Sequence, residues 1–141
     1  MTEAPTTVRL TRHVAAAPAR VWRAWTDADE LAAWFWPPSF GTTARVDLRV
    51  GGTYRVESTA RGMAVSGDVV ALEEPHRLVL TWRWDGEDDE TLVTVTFAAA
   101  DGGTDVVVLH ERFTSEEDAA NHAQGWNDCL DRLVEVGQRT A

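Results

Sequence analysis

His110 and His122 are the side chains in this 141-residue sequence whose type and spacing best suit proton transfer. His110 alternates with Val106 and Val108 in a β-like run, so its ring shares their inward face. His122 precedes Trp126 by one helical turn, which lets both imidazoles approach the same apolar space. Titratable rings in such a place are how general acid–base sites are built, so both are candidate catalytic residues; a hydrogen-bonded core histidine is the competing role. Tyr54, the single tyrosine, can offer its hydroxyl to a ligand or to backbone at a sheet edge. Cys129 falls on an apolar stripe without a basic partner in sequence reach, so its thiol reads as inert. The four histidines never stand at metal-ligand spacing with that lone cysteine, and neither a metal nor a cofactor is expected. The sequence carries no phosphate-binding glycine loop, Gly-x-Ser-x-Gly elbow or His-Glu-x-x-His signature, and the balance leans toward binding without catalysis.

Seven tryptophans are a second chemical resource, at positions 22, 25, 34, 36, 82, 84 and 126. Trp82 and Trp84 leave the same face of a strand, and Trp126 faces them from a helix. The segment Trp36-Pro37-Pro38 with Phe40 suits the rim of a cavity, where stiff prolines hold a defined lip. Met63 and Val65 fall beside Tyr54, and Leu130 continues the stripe of Trp126. The expected ligand-binding set is therefore Trp36, Phe40, Tyr54, Met63, Val65, Trp82, Trp84, His110, His122, Trp126 and Leu130. Trp22 and Trp25 are expected in ordinary core, and Gly125 at a close approach of another element.

The elements that must position these residues follow from local pattern. Residues 1–7 have no periodicity and are expected to fray, leaving a single domain over 8–141. Val8 to Val14 alternates as a first strand; Pro18 then opens a short helix, and Thr26 with Asp29 is the expected cap of a second, which Pro37-Pro38 ends. Runs at 43–50, 53–59, 63–72, 77–84, 91–98 and 104–112, separated by short turn signals, predict an antiparallel meander. Ser115 caps a final helix of roughly six turns, with acidic residues in its first turn and a stripe of Ala119, Ala123, Trp126, Leu130 and Leu133. That stripe needs a large apolar partner, and the sheet is the one available. The fold class is α+β.

Charge narrows the partners. The formal net charge is −10, and every basic residue is an arginine. Such a balance repels nucleic-acid phosphates and anionic lipid, so neither nucleic acid nor membrane is expected. The apolar run after Arg12 is too short for a signal peptide and is broken by Pro18; a cytoplasmic setting is the default.

Several segments, taken in order, resemble a known family. They are Pro18-Ala-Arg-Val-Trp-Arg-Ala-Trp-Thr-Asp27, Asp47-Leu-Arg-Val-Gly-Gly-Thr-Tyr54, Arg77-Leu-Val-Leu-Thr-Trp-Arg-Trp84, Leu109-His-Glu-Arg-Phe113, and His122-Ala-Gln-Gly-Trp126 with Leu130 and Leu133. Over about residues 8 to 138 the sequence is similar to homologues of the activator of the heat-shock-protein-90 ATPase, within the START-like or SRPBCC superfamily. The resemblance implies a helix-grip fold, in which a curved sheet of six or seven strands wraps a long C-terminal helix above a deep cavity. It implies binding or transformation of hydrophobic molecules, and the excess of inward aromatic area points to a small hydrophobic ligand, aromatic or polycyclic, held between sheet and helix. A cyclase, dehydratase or hydrolase using a pocket histidine is the first alternative. An interaction protein linked to a chaperone or a transcription regulator is the second, with a homodimer or a regulatory protein as partner. Motifs of this kind are structural and carry no catalytic signature.

Overall fold

The computed structural model describes residues 6–140, the side chains of residues 138–140 excepted. The fraying expected of residues 1–7 thus falls mostly outside the described residues. Strand β1 (Val8–Val14) leads into α1 (Pro18–Thr26) and α2 (Ala28–Trp34), then a single 3-10 turn at Pro38–Phe40. Strands β2 (Thr42–Val46), β3 (Thr53–Ser58), β4 (Met63–Glu73), β5 (Arg77–Trp84), β6 (Thr91–Ala100) and β7 (Gly103–Glu111) follow, and α3 (Glu116–Thr140) closes the chain's order. All pairings are antiparallel in one seven-stranded sheet of order β1-β7-β6-β5-β4-β3-β2. This is the expected meander, with β1 returning beside β7.

Two local expectations change. The first strand after the helices stops at Val46 instead of running to residue 50, because Asp47–Gly52 folds into a turn. Gly51 takes φ 86°, and a Cβ at Gly52 would stand 2.2 Å from the Asp47 carbonyl, so only glycine fits this pair. The turn is pinned to β4 by Gly51 N–H to the Val69 carbonyl at 2.9 Å and Val69 N–H to the Gly52 carbonyl at 2.8 Å. The second change concerns the cap of α2, which is Asp27 and not Thr26. Thr26 is still helical, with its hydroxyl donating to the Trp22 carbonyl at 2.9 Å. Asp27 has the extended backbone that a cap requires, and its carboxylate accepts from Glu30 N–H at 3.1 Å. Asp27→Ala should lower stability by about 1 kcal/mol in urea denaturation, whereas Thr26→Ala should cost less.

The final helix begins as read: the Ser115 hydroxyl accepts from Asp118 N–H at 3.1 Å, and Glu116, Glu117 and Asp118 fill the first turn. Trp126, Cys129, Leu130 and Leu133 are buried against the sheet and the short helices. Near its other end α3 crosses β1, where a Cβ on Gly137 would meet Val14 Cγ1 at 2.3 Å. Gly125 corrects its expectation: nothing lies within 4 Å of where its Cβ would be, because it faces open space and not a packed neighbour. Among the described residues no helix is long and apolar enough to cross a membrane.

Candidate ligand cavity

A cavity of about 360 Å³ opens where α3 stands off from β4, β5 and the loop after α2. Strand alternation sends Trp82 and Trp84 into it together, and Met63 adds the adaptable thioether at the start of β4. The chain leaving α2 supplies Phe35, Trp36, Pro37 and Phe40 as the facing lip. Trp36 lies nearly parallel to Trp84, with interplanar angle 13° and centroids 6.1 Å apart, and Phe40 leans on Trp36 at 6.0 Å. Arg61 holds its guanidinium 4.8 Å from the Phe40 centroid, which braces the lip from outside. The helix wall consists of His122, Trp126 and Cys129, flanked by Asn121, Gly125, Asp128 and Arg132.

Indole N–H groups need acceptors when buried, and here the two histidines provide them. Trp126 donates to His110 Nδ1 at 3.0 Å. Neutral His110 then carries its proton on Nε2, which donates to the Thr91 hydroxyl at 2.6 Å, and that hydroxyl reaches the Trp82 carbonyl at 3.3 Å. Trp84 donates to His122 Nε2 at 2.9 Å, so the Nδ1–H of His122 points to the Asp118 carbonyl at 2.8 Å. These partners assign the tautomers. Burial, and secondarily the neighbouring His122 ring, push the pKa of His110 down to about 3, so this imidazole stays neutral. Each ring spends its acceptor nitrogen on a tryptophan. Neither offers a free lone pair to a bound molecule.

The structure brings Trp36, Phe40, Met63, Trp82, Trp84, His122 and Trp126 onto the cavity wall. It places Tyr54, Val65, His110 and Leu130 behind that wall. The Tyr54 hydroxyl donates to the Thr81 carbonyl at 2.6 Å, and burial first, then Asp68 and Glu90, raise its pKa above the ordinary phenol value. Val65 sits opposite Trp84 in the β4–β5 ladder and is fully covered. Leu130 and His110 are likewise inaccessible. Phe35, Trp82 and Trp126 also wall a second void of about 30 Å³ that reaches toward Tyr54 and Trp25. The indole nitrogens of Trp25 and Trp82 are buried without an acceptor among the described residues.

Sequence reasoning missed the polar side of the helix wall. Asn121, Gly125, Asp128 and Arg132 recur at spacings of four, three and four, a second helical stripe beside the apolar one, and that period was legible. Arg132 is also a basic neighbour of Cys129, where the sequence reading expects none, at 3.6 Å from its sulfur. Even so, burial outweighs the arginine and pushes the thiol pKa up to about 12, and its S–H is given to the Phe35 carbonyl at 2.8 Å. A thiol held this way is no nucleophile. Among the described residues no group of three His, Cys, Asp or Glu side chains is placed to hold a metal ion.

Comparison with solved structures returns the same architecture. Protein CV1439 from Chromobacterium violaceum is 31% identical, with TM-score 0.81 over 94% of this chain and 96% of that one. DynU16, a protein of the dynemicin biosynthetic locus, is 25% identical with TM-score 0.81; the match covers 93% of this chain but 46% of DynU16. An HSP90 activator from Plasmodium falciparum shares the fold at 24% identity and TM-score 0.73, covering 94% and 96% of the two chains. No curated protein matches by sequence. The family model for activator of Hsp90 ATPase homolog 1-like proteins matches residues 15–138, nearly the whole fold from the end of β1 to the last turns of α3, and the chain belongs to that family.

Proposed function

We propose that this protein binds a small, flat, hydrophobic molecule in the cavity between its sheet and α3. One observation carries the proposal: a cavity of about 360 Å³, inside the ~300–1,000 Å³ range of ligand sites, is walled chiefly by indole, phenyl and thioether groups. A domain that needed only a core would close such a space, since unfilled apolar volume costs stability. The near-parallel Trp36 and Trp84 present broad apolar faces suited to planar rings. The likeness to a protein of a biosynthetic locus supports a natural-product type of ligand. Binding without turnover is favoured over a pocket-histidine enzyme, because both candidate imidazoles already serve tryptophans. The setting we assign is the cytoplasm, where a lone thiol such as Cys129 stays reduced.

Tryptophan fluorescence and thermal melting, read across a panel of fused-ring aromatics, test this. Binding should quench emission and raise Tm, with ligand at 100 times Kd adding about 2.7 kcal/mol to stability. Trp84→Ala removes one stacking face and should weaken binding about tenfold, as expected for loss of about 1.4 kcal/mol. A flat response in both measurements over the whole panel would refute ligand binding.

A further inference from the structure

We propose that the molecule this cavity accepts is an aromatic acid, with its carboxylate received by Arg132. The proposal rests on the cavity being a ligand site and adds the chemical class. Arg132 lines the cavity from α3, on the stripe of Asn121, Gly125 and Asp128. Its guanidinium is held from behind by the end of α2: Nε donates to the Trp34 carbonyl at 2.9 Å and Nη2 to the Phe35 carbonyl at 2.8 Å. Two bonds to one planar group fix its orientation. Among the described residues Nη1 has no hydrogen-bond partner, and no carboxylate lies within 4 Å of the guanidinium.

That isolation is unusual in this chain. Arg12, Arg20 and Arg55 are also partly buried, and each meets a carboxylate, Asp131 at 3.5 Å, Glu30 at 2.6 Å and Asp85 at 2.6 Å. With 23 acidic residues against 13 arginines, an acidic partner for Arg132 would be readily found, yet among the described residues this partly buried cation has none. Neutral carbonyls orient a guanidinium but leave its charge uncompensated, and in an apolar wall an anion is what completes it. Asp128 also borders the cavity, but it is exposed and accepts from Gln124 Nε2 at 3.3 Å, so solvent screens its charge. A flat acid with its rings laid against the aromatic wall of Phe40, Trp82 and Trp84 would direct its carboxylate to Arg132.

The test uses a matched pair, 2-naphthoic acid and its methyl ester, titrated at pH 7 into wild type, Arg132→Gln and Arg132→Lys. Wild type should bind the acid at least about tenfold more tightly than the ester, as a charge-assisted hydrogen bond provides. In R132Q that preference should vanish while ester affinity holds, and R132K should keep part of it. Equal affinity of wild type for acid and ester, or an undiminished preference in R132Q, overturns the assignment while leaving ligand binding intact. Failure of both compounds to bind wild type overturns both. Should R132Q not fold, R132K decides: a charge at that position that confers no preference for the acid counts against the proposal.

Discussion

Trp126→Ala is expected to lower the unfolding free energy by about 3–5 kcal/mol, a large share of the roughly 5–15 kcal/mol that holds a domain together. The indole is 3% exposed and stacks on Trp25 with centroids 5.9 Å apart. It also leans on Trp82 at 5.3 Å and meets Phe35 edge-on at 6.0 Å. Truncation removes those contacts and strips the donor from His110 Nδ1. It further dissolves part of the wall shared by the 360 Å³ and 30 Å³ spaces, so the residual hole is not easily refilled. Trp126→Phe keeps most of the ring volume and loses the N–H, and should cost about 1–3 kcal/mol for the unsatisfied imidazole nitrogen. Urea denaturation followed by circular dichroism separates the two variants. A loss under about 1 kcal/mol for the alanine variant would mean that this ring is not the packed centre described here.

The second large effect is an acid limb owned by His110. In the unfolded chain a histidine takes up a proton near pH 6.5, whereas in the fold its pKa is pushed down to about 3 by burial and by His122. Between those values the unfolded state holds the extra proton, so stability rises with pH there. The contribution is complete above about pH 6.5 and is lost as pH falls toward 3, with a total on the order of 5 kcal/mol. Protonation would place an N–H of His110 against the N–H of Trp126, which explains why the fold resists it. Among the described residues the aromatic and hydrogen-bonding side chains against this ring are Trp82, Thr91, Phe113, His122 and Trp126, none of them acidic. His110→Gln offers an amide that can accept from Trp126 and donate to Thr91 without a titrating nitrogen. Its stability should fall less steeply than wild type between pH 6.5 and pH 4, although it starts lower at pH 7. Parallel curves for the two proteins would remove His110 from the acid response.

Most of the fold was legible in the chain because its signals are local. Alternation marks β3 through β7, a hydroxyl at Ser115 and acids in the first turn mark α3, and Gly51-Gly52 marks a turn that no other residue can make. The same locality explains the error at Thr26: two adjacent residues both suit a cap, and the choice of Asp27 depends on where α1 stops. The two histidines show where local pattern runs out. Alternation placed His110 inward and helical spacing placed His122 near it, but neither period says what an imidazole meets once inside.

What the residues by themselves determined is the inventory: an α+β chain with an indole-rich inner face, a proline-stiffened lip and a long amphipathic final helix. Only the tertiary structure decided how that inventory divides, with Tyr54, Val65, His110 and Leu130 behind the wall and Arg132 on it. Periodicity specifies which face a side chain takes, whereas depth beneath that face depends on the sheet's curvature and on how far α3 stands away. Hydrogen-bond assignment is non-local for the same reason. Trp126 and His110, or Arg132 and the end of α2, lie far apart along the chain and meet only when the helix is laid across the sheet.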